Sequence, residues 1–62
     1  MFVIMESDLG FSSWKFLGTA TTEKAADKLA LKKAKSGAAV VLSVATNSFD
    51  FYYVEGGALE PA

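Results

Sequence analysis

The sequence predicts an α+β domain: a four-stranded antiparallel sheet with one helix packed on one face, in the order β-β-α-β-β. Three observations predict it. Apolar, β-branched and aromatic runs stand near both ends of the chain. A single stretch rich in alanine, leucine and lysine separates them. The 62 residues leave room for one domain and not for a second.

FVIME, residues 2–6, is a short β-branched run and reads as a buried strand. SDLG follows with Asp and Gly at turn spacing. FSSWKFLG, residues 11–18, alternates well enough for a second strand, with Trp14 and Phe16 on one side and Ser13, Lys15 and Leu17 on the other. These two strands form a hairpin. Thr21 or Thr22 then caps a helix, Glu23 suits the positive end of its dipole, and the helical pattern runs to Ser36 before Gly37 ends it. AAVVLSVAT, residues 38–46, is the third strand; Asn47-Ser48 supplies a tight turn; FDFYYVE, residues 49–55, is the fourth. Residues 1–55 therefore make the domain, and GGALEPA, residues 56–62, reads as a flexible tail.

Connection rules narrow the topology. The helical crossover brings strand 3 back parallel to strand 2, so strand 1 fits between them in the order 2-1-3-4. Strand 1 is apolar on both faces, which suits a central place; the alternative order 1-2-4-3 exposes it at an edge. A turn at Asn47-Ser48 puts Val40, Leu42 and Val44 on one face with Phe49, Phe51 and Tyr53. Val41, Ser43 and Ala45 share the other with Asp50, Tyr52 and Val54. The first set is the more apolar and is assigned to the core beneath the helix, whose Ala25, Ala26, Leu29, Ala30 and Ala34 leave room for large rings. The second face then has nothing in the chain to cover it. Val41, Tyr52 and Val54, with Trp14, are the candidate protein interface.

Composition limits the chemistry. Hydrophobic residues make up 52% of the chain, more than a domain this small hides easily, and there is no cysteine or histidine to staple it or bind metal. Self-association through the uncovered sheet face or a sheet edge, with a dimer preferred, is the expected remedy. No apolar run is long enough to span a membrane, and MFVIME lacks a basic n-region, so a cytoplasmic location is expected. Net charge is −1, but Lys24, Lys28, Lys32, Lys33 and Lys35 oppose only Glu23 and Asp27 in the helical segment. Lys24, Lys28, Lys32 and Lys35 form a candidate basic stripe, for which a solvated outer face is the plainer reading. Arginine is absent, which disfavours specific nucleic-acid readout.

Catalytic inventory is thin. Ser12 and Ser13 have no histidine base, although a pairing with Lys15 is conceivable. Glu6, Asp8, Asp50 and Glu55 are scattered without metal-ligand spacing. The sequence thus points to a non-enzymatic, cofactor-free protein-interaction module, in the style of a compact accessory or inhibitory phage protein. The second hypothesis is a nucleic-acid-associated protein that uses the lysine stripe.

Overall fold

The computed structural model describes residues 1–34 and 37–62. β1 (Phe2–Ser7) and β2 (Trp14–Ala20) form a hairpin, α1 (Glu23–Lys33) crosses over, and β3 (Ala38–Ser43), β4 (Ser48–Glu55) and β5 (Ala58–Pro61) follow. All neighbours pair antiparallel in the order β2-β1-β3-β4-β5. The expected placement of β1 between β2 and β3 is present. The apolar strand sits at the centre, where both of its faces can be covered.

The fifth strand is a correction. Residues 56–62 are not the expected flexible tail: Gly56 and Gly57 adopt φ of 60° and 75° and turn the chain back along β4. Two consecutive left-handed residues make the tight hairpin turn whose twist matches antiparallel strands. Leu59 then lands opposite Val54 and packs on the helix-side core.

The helix begins where its cap says it should. Thr22 Oγ1 accepts the Ala25 N–H at 3.2 Å, and Glu23 occupies the first turn. It ends at Lys33, short of the expected Ser36, with Ala34 extended at the cap and its N–H bonded to Ala30 O at 2.9 Å. The remaining part of that expectation, Lys35 and Ser36, lies outside the described residues.

The β3–β4 register also differs. Ser43 pairs with Ser48, so Val44–Asn47 forms a four-residue connection with Asn47 at φ 52°. Asparagine tolerates that left-handed position well. The change sets Phe49 opposite Leu42 and Phe51 opposite Val40 in place of Thr46 and Val44. Apolar residues now face apolar residues. Because the shift is even, each residue keeps the face-mates that alternation gave it.

Which face meets the helix is reversed. Buried Ala26, Ala30 and Ala34 pack with Ile4, Ala39 and Val41, and Tyr52, Val54, Leu17, Leu29 and Leu59 close around them. The alanine stripe lets the helix approach the sheet closely. Gly18 shows how close: a Cβ there would lie 2.9 Å from Leu29 Cδ2. A bulge at Leu17 turns both Leu17 and Gly18 toward the helix. Phe49, Phe51 and Tyr53 alternate onto the opposite face.

Candidate functional site

The face away from the helix carries a group of aromatic rings. Trp14 and Phe16 stand on β2, Phe49, Phe51 and Tyr53 on β4, and Phe11 comes from the β1–β2 loop. Phe11 meets Phe51 edge-on with centroids 5.1 Å apart and Tyr53 at 5.5 Å. Trp14 lies 5.4 Å from Phe49 and 6.1 Å from Phe51, while Phe49 and Phe51 stack at 6.4 Å. Such separations suit edge-to-face and offset ring pairs.

The rings cover a second core. Val40 is fully buried, as is Ala38, and both point away from the helix. Ile4 and Val40 are the largest fully buried side chains, so each face of the sheet holds one. The cover is partial: Phe16 remains 64% exposed, and Trp14, Phe49, Phe51 and Tyr53 keep between 37% and 43% of their surface in water.

A carboxylate clasp holds the loop that delivers Phe11. Asp8 Oδ1 accepts the Ser12 N–H at 2.8 Å, and Asp8 Oδ2 accepts the Ser12 hydroxyl at 2.6 Å. These bonds, the Ser12 hydroxyl's foremost, hold the Asp8 carboxyl below its usual value. The Phe11 N–H donates to Asp8 O at 3.1 Å, and the Trp14 indole N–H donates to Phe11 O at 2.8 Å. Both bonds secure Phe11 at φ 56°, an unusual conformation for a bulky residue.

The four residues expected at an interface therefore separate. Trp14 lies on the open face. Val41, Tyr52 and Val54 lie beneath or beside the helix, so the expectation that they line an uncovered surface is corrected. Tyr52 feels that position: desolvation, then the negative charges of Asp50, Asp27 and Glu23, raise its hydroxyl above the ordinary value. Alternation separates the two sets of rings; it does not say which set the helix covers. Close helix approach at an alanine stripe, with Gly18 opposite it, is the sequence signal that distinguishes them.

Charge is placed apart from the rings. Lys24, Lys28 and Lys32 are exposed at one-turn spacing on the helix, on the other side of the sheet from the aromatic group. Lys35, the fourth member of the expected stripe, lies outside the described residues. On the aromatic side the register places only Glu55 and Glu60 as charged residues, both at the β4–β5 border.

Ser12 bonds to Asp8, while Lys15 stands across from Glu6 in the hairpin and alternates onto the helix side. The conceivable serine–lysine pair is therefore not assembled at Ser12. Among the described residues there is no cavity and no group of three metal-ligating side chains. None of their helices is long and apolar enough to cross a membrane. The chain matches no protein-family model, no curated protein and no solved structure.

Proposed function

We propose that this protein is a small non-enzymatic protein-interaction module whose binding surface is the aromatic sheet face. One observation carries the reading: five rings on one face each leave more than a third of their surface in water. Scattered apolar residues are ordinary on a protein surface, but a contiguous aromatic group marks a site of contact. Aromatic side chains are also the residues that dominate binding energy at protein interfaces.

The nucleic-acid reading is disfavoured by placement. A stacking site for single strands needs rings and cations on one surface. Here the lysines of α1 and the rings of β2 and β4 occupy opposite sides of the sheet, and Glu55 and Glu60 border the rings.

The test is affinity capture from the source cells with the wild type, Phe16→Asp and a Lys24→Glu/Lys28→Glu/Lys32→Glu variant. A protein held by the wild type and by the lysine variant, and released by Phe16→Asp, supports the reading. Binding that survives Phe16→Asp and disappears with the lysines overturns it in favour of the helix surface. An accessory or inhibitory role of the kind found in phage proteins would follow from such binding.

A further inference from the structure

We infer that the occupant of the aromatic face is a second copy of this chain, joined by a two-fold axis that seats Phe16 of each copy on the Phe49–Phe51 rings of its partner. The inference rests on the aromatic face being the binding surface, and adds its partner and its anchor.

Phe16 is the observation that points to a partner ring. It is the most exposed ring of the group, and it makes no ring contact within the described chain, although the other rings of this face all do. Along the sheet, Phe16, Met5, Val40 and Phe51 stand in one cross-strand row. A two-fold axis parallel to the strands, lying above the middle of that row and between two stacked faces, exchanges its ends. Phe16 of one copy then meets Phe51 and neighbouring Phe49 of the other, and the reverse contact is made at the same time. Such an isologous pair needs only one self-complementary patch.

The area is adequate for such a pair. At roughly 200 Å² for each aromatic side chain, the five exposed rings offer about 450 Å² per copy. Partly exposed Phe11, Met5 and Leu42 extend the patch, bringing two copies near the roughly 1,200 Å² at which standard interfaces begin. The face also lacks the mixed charges by which a surface selects a different partner; its two carboxylates stand at the rim.

The sheet edges offer a poorer route to assembly. β5 has four residues and includes Pro61, which has no N–H to donate. β2 is interrupted by the bulge at Leu17, a device that spoils an edge as a template. Both blunt edges leave the face as the apolar surface available for a second copy.

Sedimentation equilibrium over micromolar to millimolar concentration tests this, with Phe16→Asp, Phe16→Ala and Lys28→Glu beside the wild type. Circular dichroism checks that each variant is folded. The expected result is a wild-type and Lys28→Glu dimer, with Phe16→Ala weakening association about tenfold and Phe16→Asp about a hundredfold. A folded wild type that stays monomeric throughout overturns the dimer; if Phe16→Asp still releases a captured protein, the face retains its binding role. A dimer that both Phe16 variants leave unchanged overturns the two-fold arrangement and the assignment of this face together.

Discussion

Trp14 and Phe49 stand at opposite ends of strands separated by two others, yet their ring centroids are 5.4 Å apart. The twist of the sheet raises two diagonal corners on this face, and the long indole spans what remains. The contact closes the aromatic group over Val40. Replacing each ring by alanine should therefore reveal coupling: a double-mutant cycle read by urea unfolding is expected to give about 0.5–1.5 kcal/mol. Strict additivity of the two losses would show that the corners do not meet in solution.

The two faces of the sheet should respond differently to truncation. Val40 is fully buried beneath the rings, so Val40→Ala is expected to lower stability by about 1–3 kcal/mol. Phe16→Ala removes a larger side chain from the same face but should cost the monomer well under 1 kcal/mol, because most of that ring is already in water. Chemical denaturation at a concentration below dimerisation checks the pair. Equal losses would place the rings and their core differently.

Gly18 limits how near the helix can stand. A methyl group there would press on Leu29 Cδ2 at 2.9 Å, which is the free end of a side chain and can turn aside. Gly18→Ala is expected to cost about 1 kcal/mol, and the larger Gly18→Val more, as overpacking. In a Leu29→Ala background the cost of Gly18→Ala should shrink, since the obstructing atoms are gone. Thermal unfolding of the four proteins measures this; an unchanged cost would locate the strain in the strand itself.

Some of this architecture can be read from the sequence, and the limits are physical. The apolar character of β1 on both faces identifies it as central, and alternation groups Phe49, Phe51 and Tyr53 with Val40 and Leu42. Neither signal carries the sense of the sheet relative to the helix, because alternation is symmetric between two apolar faces. Of the residues expected at the interface, Val41, Tyr52 and Val54 therefore lie on the helix side and Trp14 on the open face. β5 was hidden for another reason: four residues ending in Pro61 have little strand character of their own. The signal that reveals it is Gly56-Gly57 between Val54 and Leu59, a two-residue turn that places two apolar side chains opposite each other.

β5 matters because it extends the helix-side core. Gly57 adopts φ 75°, where a side chain is strained, and nothing lies within 4 Å of the position a Cβ would take. Gly57→Ala should therefore act through backbone strain alone, costing about 1–2 kcal/mol. Hydrogen exchange gives the location: faster exchange is expected at the paired β4–β5 amides, while β1 keeps its protection. Equal loosening throughout the sheet would mean that β5 unfolds only with the whole domain.

The clasp at Asp8 gives the domain an acid-sensitive component. Ser12 bonds to the ionised carboxylate and lowers its folded-state pKa below the ordinary 3.8. Above 3.8 both folded and unfolded chains carry the charge, and the stabilisation from these bonds is fully present. As pH falls below that value the unfolded chain binds the proton first, and the contribution is lost progressively until the folded carboxyl is protonated too. Asp8→Asn abolishes this titration, so the variant should melt at a lower temperature than the wild type near neutral pH. The difference should narrow in strong acid. Because the clasp secures Phe11 against Phe51 and Tyr53, near-ultraviolet circular dichroism of the rings should weaken in Asp8→Asn at neutral pH. An unchanged aromatic signal would separate the clasp from the placement of Phe11.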